Sequence, residues 1–149
     1  MKKDYLLIIP TYNEKENIDV ILKKILSLNL NLDILFIDDN SPDGTGNKLD
    51  ELSKNNDFMK ILHRANKQGI GSAHILGLEY AYKNKYQYVV TMDCDLSHDP
   101  KYLSEFIENS KNSDIVVGTR FKSKYSIETW NYYRKFLTRI GHFASIIFL

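Results

Sequence analysis

The sequence predicts an α/β fold: a mainly parallel, Rossmann-like sheet with helices on both faces. Three observations carry this. Short apolar runs alternate with longer segments whose apolar residues recur at helical spacing. The alternation runs in βαβα order without an internal repeat or a low-complexity linker, which implies parallel strands joined by crossover helices. Four of the predicted strands end in polar clusters, and in open α/β sheets ligands bind outside the carboxyl ends of the strands.

The elements follow in order. Tyr5–Ile9 reads as a buried strand, and Ile18, Ile21, Leu22 and Ile25 as a helix with Asn13 as its expected cap. Ile34–Ile37 is a second strand, closed by the turn chemistry of Asp38–Gly44. Leu49 and Leu52 mark a short helix, and Phe58–Leu62 a third strand. A helix carrying Ala73, Leu76, Gly77, Tyr80 and Ala81 follows the Gly69/Gly71 turn. Tyr88–Met92 is a fourth strand, and a helix starting near Pro100 holds Tyr102–Ile107. Ile115–Val117 is expected as a fifth strand.

Composition bounds the rest. The chain has 149 residues, 43% hydrophobic and 26% charged, which suits one domain with a real core and excludes a disordered chain. A single cysteine excludes an intramolecular disulfide framework and a cysteine-based zinc finger, and it fits a reducing compartment. The net charge of +1 hides an asymmetry. Residues 1–110 carry 13 basic and 17 acidic side chains, and residues 111–149 carry 7 and 2. The basic, aromatic-rich end points to an anionic partner or to an ordinary solvated helix face. Neither the Tyr5–Ile9 run nor the Phe143–Leu149 run has the length of a signal or a membrane span.

The sharpest chemical feature is Asp93-Cys94-Asp95. Side chains at i and i+2 of a strand share a face, so two carboxylates leave the fourth strand together. They repel unless a cation sits between them, and their oxygens suit Mg²⁺ or Mn²⁺ bridged to substrate phosphates. Cys94 between them should face the core as a small hydrophobe. His98 of His98-Asp99 is expected to stabilise its loop, because adjacent residues rarely form a catalytic dyad and the sequence places no serine or cysteine nucleophile for one. Asp38-Asp39 at the end of the second strand could accept hydrogen bonds from a ribose or base, or could serve the turn. Lys67–Gly71 lacks a phosphate-loop ending and reads as a tight turn. Arginine is scarce, four residues beside sixteen lysines, so Arg120 after the fifth strand is expected to fork onto phosphate. Arg134, on a later helical segment, is open to either reading. Trp130, Tyr133, Leu137, Ile140, Ala144 and Ile147 form a three-and-four stripe, which fits a core helix or an interfacial helix with a basic face. Lys122–Ser126 before it reads as a mobile loop.

Taken together, these stretches resemble the family 2 glycosyltransferases, most closely the polyprenol-phosphate (dolichol-phosphate) mannosyltransferases. The residues are Ile9–Glu14, Ile37–Thr45, Gly69–Ala73, Met92–Pro100, Gly118–Arg120, and Trp130 with Arg134. The resemblance implies a GT-A-type nucleotide-sugar domain over residues 1–121. Residues 122–149 would be an acceptor loop and the start of an amphipathic helix of the same domain, truncated at its C-terminus relative to the family. It implies that Pro10, Tyr12, Glu14, Ile37 and Asp39 hold the base and ribose side of the donor. Asp93, Cys94 and Asp95 would line the diphosphate, with Asp93, Asp95 and Ser97 as ligands of Mg²⁺ or Mn²⁺. Ser97 stands where some relatives place a metal-ligating Gln. Asp95, Arg120 and Arg134 would carry catalysis, the arginines meeting donor or acceptor phosphates.

The implied reaction is inverting transfer of mannose from GDP-mannose to a polyprenyl phosphate, on the cytoplasmic face of a membrane, with no nucleic-acid partner. Transfer from another donor such as UDP-glucose, and nucleotide-sugar binding without turnover, are the alternatives. A response-regulator receiver, suggested by Phe36–Asn40, is disfavoured because a whole βα unit precedes that acidic pair.

Overall fold

The computed structural model describes residues 3–119 together with 132, 133, 136–138, 140 and 141. It divides into two compact units, Met1–Asp114 and Ile115–Leu149.

The first unit is built on four parallel strands in the order β3-β2-β1-β4. These are β1 (Tyr5–Thr11), β2 (Leu32–Asp38), β3 (Met59–His63) and β4 (Tyr88–Thr91). Pairing places Ile8 opposite Leu35 on one side and Thr91 on the other, so β1 is central. Leu6, Leu7, Ile8 and Ile9 are all fully buried. Successive side chains of a strand point to opposite faces, and here each face has its own core. Leu7, Ile9, Ile34 and Phe36 pack with α1 (Ile18–Leu26), α2 (Thr45–Ser53) and α4 (Leu103–Ser110). Leu6, Ile8, Leu35 and Ile37 pack with Ala73 and Ala81 of α3 (Ile70–Lys83). The double layer is what a continuous apolar strand demands. Each such buried Leu or Ile contributes about 1.5–3 kcal/mol.

The predicted helices form on the predicted residues. Ile18, Ile21, Leu22 and Ile25 are the buried positions of α1. Ala73, Gly77 and Ala81 are those of α3. A 3-10 turn, Pro100–Tyr102, opens α4, with the Asp99 carboxylate accepting from the Lys101 amide.

Three expectations are corrected. Asn13 does not cap α1. It sits at φ 59°, a left-handed conformation that asparagine tolerates, and the helix begins only after the Asn17 and Ile18 amides have donated to Glu14 O. The third strand starts at Met59 rather than Phe58. Ile115–Val117 forms no strand, and the sheet described has four strands. Three residues of high strand propensity need a neighbouring ladder and a buried face, and propensity alone supplies neither.

Two glycines of α3 separate packing from permissiveness. A Cβ on Gly77 would lie 2.8 Å from two atoms of Ile8 and 3.2 Å from Ile37, whereas one on Gly71 would meet nothing within 4 Å. In Gly77→Ala, overpacking costs about 1–3 kcal/mol and exceeds the gain of about 1 kcal/mol in helix propensity. Urea unfolding should therefore show Gly77→Ala destabilised, and Gly71→Ala unchanged or stabilised by up to about 1 kcal/mol.

Candidate active site

The connections from β1 to β2 and from β2 to β3 step one way across the sheet. The α3 crossover then carries the chain back past both strands to set β4 on the far side of β1. Strand order therefore reverses at β1, and a crevice opens above its carboxyl end. A cleft of about 300 Å³ lies there. Pro10, Tyr12 and Glu14 enter it from β1, Asp39 from β2, and Asp93, Cys94 and Asp95 from β4.

The turn after β2 divides the labour of its two acids. Asp38 accepts from the Ser41 amide and hydroxyl at 3.2 and 2.5 Å and so serves the turn. Asp43 likewise accepts from the Thr45 amide at the head of α2. Asp39 turns into the cleft instead. Its carboxylate accepts from the Gln68 and Gly69 amides, each at 2.8 Å, and pairs with Arg64 at 2.8 Å. Both members of that pair are about 95% buried, where an unpaired charge would be costly.

Asp93 and Asp95 are placed differently. Among the described residues neither forms a salt bridge to lysine or arginine. The Ser97 hydroxyl and amide hold the Asp95 carboxyl below the usual carboxylate range, so it is ionised at neutral pH. The amide donates to Asp95 Oδ1 at 2.9 Å. His98 stands beside Asp93, but its Nδ1 accepts the Asp93 amide at 3.2 Å. The Asp93 carboxylate lies 3.6 Å from the same nitrogen. His98 is thus the loop stabiliser expected of it. Two carboxylates on a shared exit, with no lysine or arginine paired to them among the described residues, fit a hard divalent cation. Among the described residues no group of three or more His, Cys, Asp and Glu is gathered to hold a metal. The oxygens of Asp93 and Asp95, with Ser97 beside Asp95, are of the kind that suits Mg²⁺ or Mn²⁺ keeping waters or taking phosphate oxygens.

Cys94 points away from its neighbours into the core below α1 and is 2% exposed. Burial first, then Glu14, Asp95 and Asp93, push its thiol up to about 12. Only its backbone is available to a ligand. Ile37 is not brought to the cleft: its side chain is fully buried against α3, because β2 alternates and Ile37 faces the sheet's opposite layer. Gly118 and Thr119 do not follow a strand. Arg120, Arg134, Trp130 and the Lys122–Ser126 loop lie outside the described residues. Of the stripe, Tyr133, Leu137 and Ile140 are among the described residues and are helical.

The family profile described as glycosyl transferase family 2 matches residues 6–148. The chain belongs to glycosyl transferase family 2. It is 34% identical over 139 residues to the polyprenol monophosphomannose synthase of Mycolicibacterium smegmatis, a match covering 92% of this chain and 52% of that protein. It is 35% identical over 136 residues to the undecaprenyl-phosphate mannosyltransferase of Micrococcus luteus, covering 91% and 56%. With the dolichol-phosphate mannosyltransferase of Pyrococcus furiosus it shares 38% over 136 residues, covering 89% and 38%. The chain thus spans about half the length, or less, of the curated relatives it matches. In structure it resembles a mannosyltransferase from Pyrobaculum calidifontis solved with GDP-Man and Mn²⁺. The TM-score is 0.59 at 21% identity over 72% of this chain and 32% of that one, a likeness of fold that identifies the sheet as GT-A-type.

For a family 2 glycosyltransferase, the sequence reading passed over Arg64, Lys67 and Thr11, all of which line the cleft. Lys67 sits with Nζ 3.6 Å from the centroid of the Tyr12 ring. Arg64 had a usable signal: it is one of only four arginines and stands directly after a strand.

The cysteine supplies a pH test. An ordinary thiol of pKa 9.0 ionises between pH 8 and 10, whereas Cys94 at about 12 stays protonated. Alkylation of the folded chain should be slow and should still be climbing with pH at pH 10, with no plateau. In denaturant it should be fast and should level off above pH 9.

Proposed function

We propose that this chain forms the donor side of a mannosyltransferase that moves mannose from GDP-mannose to a polyprenyl phosphate with inversion. The observation that carries the reading is the Asp93/Asp95 pair, set at the switch point of the sheet and paired with no lysine or arginine among the described residues. The names of the three relatives support the same donor sugar and a lipid-phosphate acceptor.

In this reading Tyr12, Pro10 and Glu14 bind the base and ribose side, and Asp39 braces the opposite wall. Asp93 and Asp95, with Ser97, would hold Mg²⁺ or Mn²⁺, which when bound offsets the charge gained by the departing diphosphate. The acceptor phosphate oxygen forms a bond to the anomeric carbon as the bond to the diphosphate oxygen breaks. A phosphate monoester is already anionic near neutral pH and attacks without a strong general base. No base–nucleophile dyad stands at the cleft among the described residues, which fits catalysis by positioning and electrostatics. Arg120 and Arg134 are assigned to the phosphates.

No helix among the described residues is long and apolar enough to cross a membrane. The basic, aromatic segment after residue 111 is proposed as a peripheral contact with an anionic membrane surface, on the cytoplasmic face.

Three measurements test this. Titration with GDP-mannose should show tighter binding with Mn²⁺ than with EDTA, and Asp95→Ala should remove that difference. Its transfer rate from labelled GDP-mannose to polyprenyl phosphate should fall by about a hundredfold or more. Metal-independent donor affinity in the unsubstituted chain would overturn the assignment. In flotation, the chain should rise with anionic liposomes, and a form lacking residues 129–149 should rise less.

A further inference from the structure

Arg64 joins the ends of β2 and β3 to the head of α3. It follows β3 directly, and its amide donates to Asp38 O at 2.9 Å. Its guanidinium is buried, and each of its terminal nitrogens is engaged. Nη2 pairs with Asp39 and also donates to Gly69 O at 2.9 Å, while Nη1 donates to Ser72 Oγ at 2.5 Å. Nε is buried with no partner among the described residues, so the two terminal nitrogens set the orientation. Asp39 in turn accepts the Gly69 amide. The ion pair therefore grips both polar groups of Gly69, the N–H through Asp39 and the C=O through Arg64.

Gly69 needs such a grip. Its φ of 87° and ψ of 164° belong to a region open essentially to glycine alone, a conformation that persists only when its surroundings over-determine it. The turn it creates forms one wall of the cleft and carries Lys67 to the Tyr12 ring.

We propose that Arg64 is a positioning residue for the nucleotide: its fork, acting directly and through Asp39, fixes the 67–71 turn that walls the binding cleft. This rests on the nucleotide-sugar reading above and deepens it. The planar fork is essential to the idea. A lysine would return the charge but, as a single point donor, could not span Asp39, Gly69 O and Ser72 together.

The test combines amide hydrogen exchange with GDP titration on the full 149-residue chain. Arg64→Met leaves the Asp39 carboxylate buried and unpaired, so a general loss of stability is expected. Arg64→Lys keeps the charge and isolates the fork. In Arg64→Lys, the Gln68 and Gly69 amides should exchange about tenfold faster or more, while amides of β1 stay as slow as before. GDP affinity should fall by about tenfold in the same variant. Unchanged exchange at Gln68 and Gly69 would overturn the clamp. Faster exchange without loss of GDP affinity would overturn its role in positioning the nucleotide. If the unsubstituted chain binds no GDP, the nucleotide reading itself fails, and the exchange result still decides the clamp.

Discussion

Everything chemical in this domain follows from the burial of β1 and β2 on both faces. A strand covered above and below cannot carry a polar side chain until it leaves the sheet. The apolar runs Leu6–Ile9 and Ile34–Ile37 therefore stay free of chemistry, and the polar residues begin where the strands end. Because the strands are parallel, those ends share one rim. The reversal of strand order at β1 opens that rim into a cleft, and residues from β1, β2 and β4 meet there.

Inside the cleft, electrostatics separates two kinds of carboxylate. Asp39 is buried and neutralised by Arg64, with two amides completing its shell. It is a structural charge whose removal would leave the guanidinium unpaired. Asp93 and Asp95 have no such compensation among the described residues, and Asp95 is held ionised by Ser97. A nucleoside diphosphate is itself anionic, and uncompensated carboxylates would repel it. A divalent cation resolves that conflict, which is why the unpaired acids, more than the buried pair, speak to function. The same negative field, together with burial, makes the thiol between them inert.

Much of this was legible in residue order. The strand and helix periods predicted the double-layered sheet, and the Asp-x-Asp spacing predicted two acids leaving one strand end at the rim. Cys94 was read correctly as core, because alternation alone puts it on the opposite face. The failures are local. Asn13 looked like a cap because asparagine favours caps, but it equally tolerates the left-handed turn found there. Ile115–Val117 looked like a strand because its residues favour strands, and propensity says nothing about whether a ladder is available.

The sequence by itself determined the layers of the fold, the rim on which chemistry would sit, and the two acids suited to a metal. These are properties of spacing, and spacing is local. Only the tertiary structure showed how Asp39 is held at the cleft while Asp38 serves the turn, and it alone revealed Arg64. That arginine is 25 residues from Asp39 along the chain. Its meaning lies in a fork that reaches Asp39 after β2 and Gly69 and Ser72 at the head of α3 at once, two segments brought together by the parallel crossover. No pattern along the chain records such a meeting, because the constraint that creates it is the packing of α3 back across the sheet.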